Sequence, residues 1–179
     1  MQYWLLTWTL YGTWLPGDPR GSVASVLRGP GPRRERDGYR EPFEPPMPGL
    51  QATSAGNQTF PTAALQPDLA PPLLDQFRQT AHLRAWRLEA AAIMVDHVHV
   101  VVGIPDDCRP EEALRDLKAY GSRRLNALTG TVRHWWTRRG SRRLLRDARA
   151  VEGAVNYVLR QKSPLLVWRN GRNADEPPG

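Results

Sequence analysis

The stretch WRLEAAAIMVDHVHVVVGI, residues 86–104, constrains the fold more than any other part of the chain. Trp86, Leu88, Ala90 and Ala92 alternate with Arg87, Glu89 and Ala91, the two-residue period of a strand, although three consecutive alanines leave a helical reading open. The apolar run resumes at His97 and continues to Ile104. One strand over this whole span would far exceed the usual length of roughly 3–10 residues, so the chain is expected to reverse at Val95-Asp96 and form an antiparallel hairpin. Val98, Val100 and Val102 would then share one face and His97 and His99 the other. Two histidines whose Cα atoms lie about 7 Å apart can converge on one ion. They can equally be solvated residues of a sheet surface.

Other segments supply the rest of a small domain. Tyr3 to Thr9 reads as a strand, ended by the glycines and prolines of YGTWLPGDPRG. From about 16 to 67 the chain is rich in Pro, Gly, Arg and Glu with little periodicity, and is expected to be an irregular insertion. Pro71 and Pro72 suit a first helical turn, followed by Leu73, Leu74, Phe77 and Ala81 on one face. A second helix begins near Pro110, with Ala113, Leu114, Leu117, Tyr120 or Gly121, Arg124, Leu125 and Leu128 marking its inner stripe. TVRHWWTRRGSRRLLRD predicts two short strands around Gly140-Ser141. A last helix has Asp147 as cap, Val151, Ala154, Val155 and Val158 inward, and Pro164 as stop. The order β-α-β-β-α-β predicts an α+β fold, a ferredoxin-like antiparallel sheet with helices on one face plus a further C-terminal helix. Residues 1–170 form one expected domain and 171–179 a tail.

Charge narrows the class of partner. Residues 1–108 carry 9 basic and 11 acidic side chains, whereas residues 109–172 carry 16 basic and 5 acidic. Arginine-favouring base composition would explain why only 2 of the 25 basic residues are lysine, but not why acids are scarce in the same segment. A field so concentrated favours a polyanion, nucleic acid above all. The single cysteine, Cys108, excludes an internal disulfide, and the amino terminus lacks a leader pattern, so a cytoplasmic location is expected. No apolar run approaches the ~20 residues that span a bilayer, and no membrane role is expected.

In the last helix Tyr157 and Gln161 are four residues apart and should lie one turn apart on one face. A tyrosine with its ordinary pKa of about 10 is a poor nucleophile, but a divalent cation that polarises a phosphate lowers the barrier to attack. Gln161 can offer an amide oxygen as third ligand. The alternative is a half-buried Tyr157 at a helix–sheet contact and a solvated Gln161.

Together, IMVDHVHVVV and NYVLRQ resemble the histidine–hydrophobic–histidine strand and the nucleophile helix of the single-tyrosine HUH transposases, in particular the REP-associated tyrosine transposases and their IS200-like insertion-sequence relatives. The opening LTWTLYGTWLPGDPRGSV is similar to the start of one branch of that group. The resemblance implies a bacterial, nucleoid-associated enzyme that cuts and rejoins single-stranded DNA in transposition and recognises a DNA hairpin. His97, His99 and Gln161 would hold Mg²⁺ or Mn²⁺, and Tyr157 would attack phosphorus to give a 5′-phosphotyrosine link and a free 3′-hydroxyl. The chain departs from many relatives in carrying Val95-Asp96 where they have Pro-Asn, and in the length of its insertion. Relatives act as monomers or as helix-swapped homodimers, and both states stay open here.

Arg123, Arg124, Arg138, Arg139, Arg142 and Arg143 are candidate phosphate contacts, because a guanidinium offers paired donors. Trp135 and Trp136 are candidates to stack on unpaired bases, with one of the two expected in the core. Lys118 either approaches the site or lies on a solvated helix face. The rival reading is a domesticated protein that binds single-stranded or hairpin nucleic acid without cutting it. A two-histidine phosphoesterase would need paired His-x-Thr motifs, and His82 and His134 stand instead in AHLRA and RHWWT.

Overall fold

A computed structural model describes residues 1–15, Asp18 and residues 47–171. Most of the first part of the expected insertion, and all but the first residue of the expected tail, lie outside the described residues. Among the described residues five strands form one antiparallel sheet: β1 (Gln2–Thr9), β2 (Arg87–Ile93), β3 (His97–Ile104), β4 (Ser141–Leu145) and β5 (Leu166–Arg169), in the order β4-β1-β3-β2-β5. Four α-helices accompany it among the described residues: α1 (Pro48–Gly56), α2 (Ala70–Leu83), α3 (Pro110–Thr129) and α4 (Ala148–Leu159). The path β1-α2-β2-β3-α3-β4, with β1 and β3 central, is the expected ferredoxin-like α+β arrangement.

The hairpin forms where the sequence predicts it, with Met94–Asp96 connecting β2 to β3 and the Met94 N–H donating to the His97 carbonyl at 2.9 Å. One face of the sheet buries Val98, Val100, Val102, Leu6 and Trp8 under Leu73, Leu74, Phe77 and Ala81 of α2 and Ala113, Leu117 and Leu125 of α3. The other face buries Leu5, Ala90, Ala92 and Val101 under Ala154, Val155 and Val158 of α4. The sheet therefore has helices on both faces, with α2 and α3 opposite the C-terminal α4.

Several local expectations are corrected. A register shift between Leu88 and Ala90 resets the pleat, so Leu88 shares a face with Ala91 and Ile93 while Ala90 and Ala92 turn to α4. Arg124 and Leu128 do not extend the inner stripe of α3: both are exposed. Gly121, not Tyr120, faces α2, where a Cβ would meet Leu73 and Phe77 at 3.1 and 3.2 Å, a spacing that lets the two helices approach closely. Residues 48–56, expected to be irregular, are helical; α1 starts on Pro48 and buries no residue, so it leaves no apolar period to read. The expected strand before Gly140 reduces to a single bridge between Leu10 and Trp136. The additional strand is β5, which pairs with β2 after the chain leaves α4 through Ser163 at φ 53°.

Phe77 is fully buried and meets the Trp8 ring edge-on at 5.6 Å between centroids. Phe77→Ala is expected to cost about 3–5 kcal/mol, measured as a lower denaturant midpoint with an unchanged slope.

Candidate active site

The β1–β3 register sets Thr7 opposite His99 and Thr9 opposite His97, all four on the face that α4 covers. Along this face Leu5 and Val101 are apolar, and the polar pairs begin immediately beyond them. β4 runs antiparallel to β1, away from the histidine end, and α4 returns toward it. The Asp147 carboxylate accepts the Ala150 N–H at 2.7 Å and caps the start of α4, as expected. Tyr157, in the last turn of α4, meets His99 edge to face, with ring centroids 5.4 Å apart at 81°. His97 and His99 are 4.7 Å apart at 86°. The Tyr157 side is open, 51% of that residue being exposed, whereas His99 is buried.

Hydrogen bonds orient both imidazoles. His99 Nδ1 and Thr7 Oγ1 are 2.8 Å apart, and His97 Nδ1 and Asp96 Oδ1 are 2.5 Å apart. Each ring thus uses its Nδ1 within the protein and keeps Nε2 for a ligand, the pattern in which a second polar group sets the ring of a metal-binding histidine. Burial lowers the His99 pKa to about 3, with His97 adding to the effect and Asp96 opposing it, so the ring is neutral and able to ligate at physiological pH. The turn carrying Asp96 is braced on its carbonyl side by the Leu10 N–H at 2.8 Å and the Thr13 hydroxyl at 3.1 Å, and by the Leu65 N–H on the Val95 carbonyl at 2.9 Å.

Gln161 does not continue α4. The helix ends at Leu159, Arg160 caps it, and the Gln161 amide Nε2 donates to the Tyr157 carbonyl at 3.1 Å. This bond engages the amide nitrogen and not Oε1. Among the described residues no group of three or more His, Cys, Asp and Glu side chains could hold a metal. The two imidazoles fit a divalent cation, and the remaining ligands would have to come from other donor types.

The basic residues divide by position. Arg143 stands opposite Leu5 on the α4 face, whereas Arg142 stands opposite Leu6 on the α3 face and pairs with Glu111 at 3.0 Å. Arg138 and Arg139 are exposed in the loop before β4. Arg123 lies over the Tyr120 ring at 5.0 Å, and Arg124 is exposed. Trp135 and Trp136 are both in the core, which corrects the expectation of one: their indoles donate to Asn126 Oδ1 and to the Lys118 carbonyl, each at 2.8 Å. The Arg133 guanidinium covers the Trp135 ring at 4.8 Å, so the ring presents no free face to a base. Outside regular strand pairing, adjacent side chains need not face opposite ways.

Lys118 takes neither expected role. Its Nζ donates to the carbonyls of Thr137, Arg139 and Arg138 at 2.6, 3.2 and 3.4 Å, and burial lowers its pKa to about 8. Thr137 in turn donates its N–H and its hydroxyl to the Thr9 carbonyl at 3.1 and 3.2 Å. This chain of contacts ties the arginine loop to the residue opposite His97. Thr7, Asp96 and Lys118 were missed as positioning residues; only the acidic side chain directly beside His97 gave a sequence signal.

Residues 62–143 match the model of the family described as "Transposase IS200 like", which bears out the resemblance seen around His97 and His99 over that segment. No curated protein matches the chain. Among solved structures, a REP-associated tyrosine transposase bound to a REP hairpin is similar at 13% identity and a TM-score of 0.47. The similarity covers 88% of this chain and 64% of that one, so the chain spans less than two thirds of the length of the protein it matches.

The pKa of about 3 has a consequence for stability. An unfolded histidine, with its ordinary value of about 6.5, takes up its proton first as pH falls, so stability present above that value is lost toward pH 3. Chemical denaturation between about pH 7.5 and 4.5 should show a smaller acid loss in His99→Asn than in the wild-type chain. The His99 ring signals of the folded protein should keep their neutral-form NMR shifts over the same range.

Proposed function

We propose that this chain is a transposase that cuts and rejoins single-stranded DNA, with Tyr157 as nucleophile and His97, His99 and Gln161 as ligands of Mg²⁺ or Mn²⁺. The observation that carries the reading is the contact of Tyr157 with His99, which sets a half-exposed phenol beside two imidazoles whose Nε2 atoms are free. The family match over residues 62–143 supports it, because that segment contains the histidine strand. When bound, the ion would polarise the scissile phosphate and offset charge developing on its oxygens.

The residues of the chain account for the remaining steps. Tyr157 Oη attacks phosphorus, the bond to the 3′-oxygen breaks, and the DNA is left with a 5′-phosphotyrosine link and a 3′-hydroxyl. Because the tyrosyl ester keeps the energy of the phosphodiester, attack by a 3′-hydroxyl rejoins DNA without a nucleotide cofactor. Thr7 and Asp96 hold the imidazole planes, and Arg143, on the same sheet face, is a phosphate contact. Arg138 and Arg139 extend the positive surface beyond the histidine end. Arg123, Arg124 and Arg142 complete the proposed phosphate-binding set, whereas Trp135, buried in the core, leaves it. The similar REP-associated transposase was solved with a REP hairpin, and a DNA hairpin next to a single strand is the partner proposed here.

The test is incubation with single-stranded hairpin DNA and Mn²⁺, followed by denaturing electrophoresis. A covalent protein–DNA adduct is expected from the wild-type chain and none from Tyr157→Phe. An adduct that persists in Tyr157→Phe would sink the nucleophile assignment. Salt-sensitive binding without an adduct in any divalent metal would instead favour a non-cleaving DNA-binding protein. Thr7→Val should retain the fold but raise the Mn²⁺ concentration for half-maximal adduct formation by roughly 10–100-fold, because it frees the His99 ring.

A further inference from the structure

Phe60 and His134 form an aromatic pair at the surface, with ring centroids 4.2 Å apart and planes inclined by 30°. Both are exposed, Phe60 to 41%. The pair is held from several sides. Tyr11 meets the Phe60 ring edge-on at 6.1 Å, and its hydroxyl accepts the Thr59 N–H at 3.1 Å. On the other side of Phe60, the Ala63 N–H donates to the Tyr11 carbonyl at 2.8 Å and Arg133 Nη2 donates to the Thr62 carbonyl at 3.2 Å. The Tyr11 N–H donates to the Trp135 carbonyl at 2.9 Å, next to His134. A large apolar ring has thus been fixed at the surface instead of being folded into the core a few residues away, where Ala63 and Leu65 are buried.

The surroundings identify an occupant. His134 lines a groove of about 510 Å³ between α3 and residues 133–142, whose lining includes Arg115, Arg133, Arg138 and Arg139 with Glu111 as its acid. The groove lies near the histidine end of the sheet, since Thr137 bonds to Thr9 and Tyr11 follows Thr9 by two residues. We propose that Phe60 and His134 form a stacking site for an unpaired base of single-stranded DNA whose phosphates follow this groove. A duplex keeps its base faces stacked internally, whereas a single strand can lay one base on a ring pair and present its phosphates to the arginines that line the same groove as His134. The ring faces carry no directional donor toward a base edge, so the site favours a free base without selecting among the four. It rests on the reading of the chain as one that handles single-stranded DNA.

The test uses the full chain with Tyr157→Phe, which prevents cleavage, and oligonucleotides carrying 2-aminopurine at successive positions beside a hairpin. Binding should quench the fluorophore at one position. Phe60→Leu, which keeps an apolar side chain, and His134→Ala should each abolish that quenching and weaken Kd roughly 5- to 20-fold with the salt slope unchanged. Phe60→Trp should retain both, and thermal melting should show all three variants folded. Equal affinity and quenching in Phe60→Leu and His134→Ala would overturn the stacking site while leaving the proposed function standing. An equal loss of affinity for a blunt duplex would also overturn it, because a duplex offers no free base face. Failure of the parent chain to bind any single strand would overturn both.

Discussion

The structure depends on β3 lying at the centre of the sheet, paired with β1 on one side and β2 on the other and covered on both faces. A central strand with two buried faces must satisfy two different neighbours with alternate residues. Val98, Val100, Val102 and Ile104 meet α2 and α3, while Val101 and His99 meet α4, with His97 beside His99 on the same face. Along that second face the apolar contacts end at Val101, and the buried residues of α4 end at Val158. The tyrosine before Val158 therefore falls over the first polar pair of the sheet, His99 with Thr7.

A second layer of order comes from hydrogen bonds that cross between elements. Asp96 and Thr7 orient the two imidazoles from the turn and from the neighbouring strand. Lys118 gathers three consecutive carbonyls of the loop before β4, and the Thr137 hydroxyl donates to one of them, that of Arg139. The same loop bears Arg138 and Arg139 and is bonded through Thr137 to Thr9. Burial of a cation has a cost, and the three carbonyl hydrogen bonds that offset it also hold the basic loop against α3.

Much of this was legible in the chain. The hairpin followed from the length of the apolar run, the face of each histidine from strand alternation, and the cap of α4 from Asp147. Other elements were not legible for physical reasons. α1 buries nothing and so leaves no periodic trace, and the bulge at Glu89 reverses the alternation that a regular strand would keep. Trp135 and Trp136 both turn inward because their segment makes only one bridge to the sheet and is not bound by strand pleating. Gln161 leaves the helix because the chain must turn to deliver β5 to the edge of β2.

By itself, then, the sequence determined the α+β class, the hairpin, the shared face of His97 and His99, and the concentration of positive charge after residue 108, because each depends on local period or composition. Only tertiary structure decided that Tyr157 meets His99, that Thr7 and Asp96 orient the imidazoles, that Lys118 clamps the arginine loop, and that Phe60 joins His134 at the surface. Apart from Asp96 and His97, which are neighbours, these contacts join residues far apart in the chain. Their meeting depends on sheet order and helix direction, which no local pattern encodes.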